Sequence, residues 1–257
     1  MLGTGRIGKF GRIGTLVDNL IMIFNSKKEI LFVVLAMFFV TNAIVAEMIG
    51  GKLIEISLFG FNFAFSMGIH PWPVVFLYTD LINEYFGKKG VRRLSVITAC
   101  LIAYAFVILY GGMKIPAALF SPVQEKEFTI VFGQSQWIII GSITAFLVSQ
   151  IVDVFVFWFF RSKTNGKFLW LRSTGSTVIS QLIDSFIVLG IGFLVPGKIT
   201  IDQFFNVGFT NYSGKLLIAI LLTPLIYLGH FLINKYLGEE EAKNEIEHTA
   251  KESLKES

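Results

Sequence analysis

"SQIVDVFVFWFFRSKTNGKFLWLRSTGSTVISQLIDSFIV" covers Ser149–Val188 and carries one polar pattern twice. Ser149, Gln150 and Asp153 recur in the same register as Ser180, Gln181 and Asp184, and a Phe follows each Asp two positions later. Both sets lie in runs apolar enough for hydrocarbon, and between them stand Arg161, Lys163, Lys167 and Arg172. Apolar runs of about 20 residues joined by a short basic loop read as two antiparallel membrane-crossing helices. Positions three and four apart share a helix face, so the three polar groups of each set point one way. The repeat thus predicts two Gln/Asp levels facing each other near the middle of a membrane.

Composition supports that reading. The chain has 257 residues, 54% hydrophobic and 16% charged, with 27 Phe, and its mean hydropathy is +0.68. A soluble domain carries about a quarter charged residues, so this chain has too few to cover a wet surface. The net charge of +4 is read as basic cytoplasmic loops, not as a nucleic-acid surface. Cys100 stands alone in an apolar run, which excludes a disulfide framework or cysteine metal site. There is no Walker A motif and no metal-ligand constellation, and no cofactor is expected.

Six stretches suit membrane helices: Ile30–Ile49, Ala64–Tyr85, Leu94–Gly111, Gln134–Phe160, Thr174–Val195 and Asn211–Tyr236. The expected fold is therefore an all-α, polytopic integral membrane protein with six transmembrane helices over residues 30–236. The short apolar piece Lys52–Phe63 reads as an extended loop or a re-entrant segment. Residues 1–29 are basic and Gly-rich without a signal-peptide cleavage pattern, and suit an interfacial amphipathic segment. Residues 237–257 are polar and charge-mixed, and read as a frayed helix or disordered tail. Lys and Arg concentrate before span one, between spans two and three, between four and five, and after six. That bias places both termini in the cytoplasm and the chain in the cytoplasmic (inner) membrane.

A third polar group accompanies the repeat. In "YTDLINEYFGKKGVRR" Asp80, Asn83 and Glu84 share one face of span two, and Asn42 lies near the middle of span one. A carboxylate at a helix centre costs about 2.5–3.5 kcal/mol on insertion scales, so such groups face the bundle interior and mark a substrate or ion path. The plainer reading is that Ser, Gln and Asn tie helices together while each acid is paired or protonated. Lys88, one turn from Glu84, is an obvious ion-pair partner. Most surrounding aromatics, including Phe155 and Trp158, read as packing or lipid-facing, and His70 beside Pro71 as a kinked helix start. The candidate substrate-binding set is Asp80, Asn83, Glu84, Gln150, Asp153, Gln181, Asp184 and Asn42.

Three blocks carry a family resemblance: D-L-x-N-E-x-x-G-K at Asp80–Lys88, both S-Q-x-x-D sets, and the L-W-L-R linker at Leu169–Arg172 before Ser-Thr. Over roughly residues 30–235 the chain resembles the queuosine precursor transporter family, also called the vitamin uptake transporter family. It departs at Ser173-Thr174-Gly175, where an Asn-rich helix start would be expected. The resemblance implies a six-helix importer of 7-deazapurines, the precursors of queuosine in tRNA, and not an enzyme. The substrate would be the cyano or aminomethyl base or queuine itself, taken up by facilitated diffusion or with protons as coupling ion, by a monomer or homo-oligomer.

Two other readings use the same residues. A substrate-binding subunit of an energy-coupling-factor transporter also has six helices, but its A-x-x-x-A docking motif belongs in the first helix, and here that spacing is at Ala99–Ala103. An intramembrane aspartyl protease would use Asp153 and Asp184 as a dyad, yet neither follows a glycine as the G-x-G-D block requires.

Overall fold

The computed structural model describes residues 26–50, 52–58, 61–133 and 136–255; most of the basic segment expected over 1–29 lies outside them. Helix α1, Lys27–Ile49, starts where the Ser26 side chain accepts from the Glu29 amide. A β-hairpin follows, β1 Leu53–Leu58 pairing antiparallel with β2 Phe61–Ser66. The span expected from Ala64 therefore begins as a strand, and its helix waits for Pro71. A single 3₁₀ turn, Met67–Ile69, leads in. Proline at the first helical position lacks an N–H that would be unsatisfied anyway, which fixes the start of α2 there.

Helix α2 runs Pro71–Gly112, 42 residues with one break, Gly87 at φ 71° and ψ −178°. The Thr79 and Ser95 hydroxyls, sixteen residues apart in sequence, both donate to the same Gln150 Oε1, at 3.2 and 3.5 Å. In a continuous helix they would stand about 24 Å apart. The chain therefore reverses at Gly87, and α2 is two antiparallel arms, 71–86 and 88–112. Sequence places a basic loop between spans two and three. Here the turn is one glycine, and Lys88, Lys89, Arg92 and Arg93 belong to the second arm.

A short helix, α3 Glu125–Phe132, precedes α4 Gln136–Lys163. The turn after α4 uses Asn165 and Gly166 at positive φ, and α5 runs Leu169–Leu189, closing with a π-helical turn at Gly190–Leu194. The L-W-L-R block expected in a linker is thus helical. Helix α6, Ile201–Leu237, opens on a capping box between Thr200 and Gln203 and carries Pro224 inside. The polar tail forms α7, Glu239–Lys255. It lies across the Gly87 turn, with Thr249 Oγ1 donating to Tyr85 O at 3.1 Å and Ser253 Oγ accepting from Lys88 N.

Five helical stretches are long and apolar enough to cross a membrane, Met67–Gly112 counting as one of them. Polarity is arranged for that setting. Met37, Val107, Ile151, Phe155, Leu221 and Phe231 are each more than 60% exposed, while Asp80, Asn83, Glu84, Gln150 and Asp153 are at most 3% exposed. In water both halves of that arrangement would be unfavourable; in lipid an apolar rim and a polar interior are the expected pairing.

Candidate functional site

The repeated helices pack along their length, and their polar sets close on each other. Ser180 on α5 donates to Asp153 Oδ1 on α4 at 3.0 Å. In return Ser149 on α4 donates to Asp184 Oδ1 on α5 at 3.4 Å. Each serine of one set therefore holds the aspartate of the other. Where the start of α4 meets the π-helical turn after α5, a Cβ on Gly141 would stand 3.0 Å from the Gly192 amide, so glycine at both places lets the backbones approach.

The first arm of α2 supplies the opposite wall. Ser173 donates to Asp80 Oδ2, and Asp80 is within electrostatic reach of Asp153. Trp158 Nε1 donates to Asn83 Oδ1 at 2.7 Å, so this buried tryptophan positions a polar group and does not face lipid. Phe155, by contrast, is 70% exposed.

One polar atom on each of five candidates finds no protein partner: Asp80 Oδ1, Asn83 Nδ2, Gln150 Nε2, Asp153 Oδ2 and Gln181 Nε2. Two are carboxyl oxygens and three are amide donors. Buried polar atoms are nearly always paired, and these five each retain an unused hydrogen-bonding position.

The other candidates are placed differently. Glu84 accepts from Arg172 in a bidentate pair, at 3.1 and 2.9 Å, and lies 2.5 Å from Arg161 Nη1. Sequence points to Lys88 as a partner; the closing of the α4–α5 turn brings both arginines onto the carboxylate, and the Lys88 ammonium stands over the Trp158 ring. Asn42 donates to Phe38 O in its own helix. Asp184 is bound by Lys215 at 2.5 Å.

Sequence reasoning missed Ser173, Arg161, Arg172 and Lys215 as parts of this system. The two arginines read as loop charges because only the folded turn swings them inward. Lys215 had a visible signal, a lysine inside an apolar span. Above Asp184 a cavity of about 380 Å³ opens, lined among others by Glu47, Trp72, Ser142, Asp184, Ser185 and Lys215. Among the described residues no group of His, Cys, Asp and Glu is arranged to hold a metal ion.

The sequence profile of the family described as "Putative vitamin uptake transporter" matches residues 66–229. Every candidate except Asn42 falls inside that span. A relative named as a probable queuosine precursor transporter, from Bacillus subtilis (strain 168), is 28% identical over 175 residues, 67% of this chain and 75% of its own length. A second of the same name, from Haemophilus influenzae, is 28% identical over 166 residues, 63% of this chain and 66% of its own length. No solved structure matches the chain.

Proposed function

The chain belongs to the family described as "Putative vitamin uptake transporter", a family of multi-pass membrane transporters, and from that premise we propose that it imports 7-deazapurine precursors of queuosine across the cytoplasmic membrane. The names of its two relatives support the substrate class. The observation that carries the reading is the set of five unpartnered buried atoms, two carboxyl oxygens and three amide donors, on the first arm of α2 and the paired helices α4 and α5.

A deazaguanine complements that set. Its ring N–H and neighbouring amino group form a donor pair that one carboxylate accepts from with both oxygens or with one. Its ring carbonyl and ring nitrogen accept, which suits the Asn and Gln amide groups. The base thus bridges Asp80 and Asp153 with Asn83, Gln150 and Gln181 around it, and Asp184 bounds the site on the cavity side. Glu84 and Asn42 are left out of the ligand set, because the Glu84 carboxylate is taken by Arg161 and Arg172 and the Asn42 amide donates within its own helix. The arms of α2 count as two crossings, giving six, with both termini in the cytoplasm by the distribution of Lys and Arg.

Rescue tests this reading. A bacterium unable to make queuosine precursors and lacking its own importer is given the chain and each deazapurine at low concentration, and queuosine is assayed in its tRNA. Rescue is expected with at least one base. Asp153→Asn, which turns an acceptor into a donor, should cut uptake at least about tenfold with the protein level held. Rescue by no base, with the chain present in the membrane, sinks the substrate assignment.

A further inference from the structure

The 380 Å³ cavity is within the roughly 300–1,000 Å³ range of small-molecule sites, and it lies outside the layer of unpartnered amides. Its walls combine an aromatic face, Trp72, with three ionisable groups: Asp184, Lys215 and Glu47. Lys215 Nζ donates to Asp184 Oδ2 at 2.5 Å. Glu47, 6% exposed, accepts from Ser142 and is within electrostatic reach of Lys215. Ser185, 3% exposed, lines the same cavity, and its hydroxyl has no hydrogen-bond partner. One ammonium therefore pairs with Asp184 and lies within electrostatic reach of a second acid, beside an unused polar group.

That arrangement is selective. A ligand that takes the Lys215 position on Asp184 Oδ2 displaces that ammonium. A neutral ligand would leave the buried carboxylate without a counter-charge, whereas a ligand bearing its own ammonium replaces one cation with another. The displaced lysine then has Glu47 as its next partner, and no charge is left alone.

We propose that this cavity is the first station for the imported base and that it selects a planar heterocycle carrying a protonated primary amine, which takes the place of the Lys215 ammonium on Asp184. Lys215 is the resident competitor, and Glu47 is a positioning residue that acts through Lys215. The proposal rests on the importer reading above and deepens it, naming the aminomethyl base over the cyano base.

The test is binding of 7-aminomethyl- and 7-cyano-7-deazaguanine to the purified full chain in lipid nanodiscs, followed by titration calorimetry. The wild type is expected to bind the amine more tightly. Lys215→Met removes the competitor and should tighten the amine about tenfold while leaving the nitrile unchanged. Glu47→Gln removes the lysine's second partner and should weaken the amine about tenfold. Because Glu47 acts only through Lys215, the double variant should match Lys215→Met alone. Lys215→Arg, which keeps the charge, should restore the wild-type ratio of the two ligands. Additive effects of the two single variants, or equal shifts for both ligands, would overturn this inference and leave the importer reading standing. A wild type that binds neither base would overturn both.

Discussion

Glu84 shows how much a single residue's role depends on what the fold brings to it. Two arginines from the ends of the α4–α5 turn converge on its carboxylate, and Arg172 also donates to Gly166 O at 2.6 Å, which ties the turn itself. Removing one member of a buried ionic group leaves charge without compensation. Glu84→Gln should therefore lower stability by about 3–5 kcal/mol, read from unfolding in detergent. Replacing Glu84, Arg161 and Arg172 together by apolar residues of similar volume should cost less than that single change. The candidate acids were legible because a carboxylate in an apolar run must turn away from lipid, and the repeated spacing put them on one face. Their partners were not legible. Ser173 and Arg172 stand some ninety positions from Asp80 and Glu84, and nothing in the chain's local pattern encodes which turn will carry them inward.

At the scale of elements the decisive feature is the reversal at Gly87. Its φ of 71° favours a residue without Cβ, and an added Cβ would stand 2.8 Å from Ser253 Oγ and 3.0 Å from Thr249 Cγ2. Gly87→Ala should therefore cost about 1–2 kcal/mol from backbone strain alone and push α7 off the turn. Ser253→Cys, 5% exposed in the native packing, should react with a maleimide faster in that background than beside Gly87. An unchanged labelling rate would mean that α7 does not need the bare glycine surface. Hydropathy located the long apolar stretches well, since a helix in lipid must be apolar along its whole length. It could not locate a one-residue turn, because the basic residues after Gly87 look the same in a loop or in the first turns of a helix. The docking of α7 was equally hidden: its composition is that of a solvated tail, and the residues that meet the rest of the protein, among them Ala242 and Thr249, 0% and 6% exposed, are scattered among charged ones.

At the scale of the whole molecule most of the basic residues gather at one end. Lys28 pairs with Glu245 of α7, Lys88 meets Ser253 through its amide, and Arg161 reaches Ile246 O. The start of α1, the Gly87 turn, the α4–α5 turn and α7 therefore share that end, while the β-hairpin and the loops around Leu119 and Lys198 belong to the other. With Cys100 replaced by Ser, an impermeant maleimide applied to intact cells should label Leu119→Cys and Lys198→Cys but spare Asn165→Cys and Lys243→Cys. The reverse pattern would invert the proposed orientation. The reciprocal serine–aspartate contacts across α4 and α5 have a further consequence at this scale. Antiparallel helices with the same triplet are related by a half-turn about an axis lying between them, so under the proposed import reading a base arriving from either end would meet equivalent chemistry in the middle. Such a centre is blind to direction. Any preference for inward over outward movement must then come from the parts that break the half-turn: Lys215 above Asp184 at one mouth, and Glu84 with its two arginines beneath Asp80 at the other.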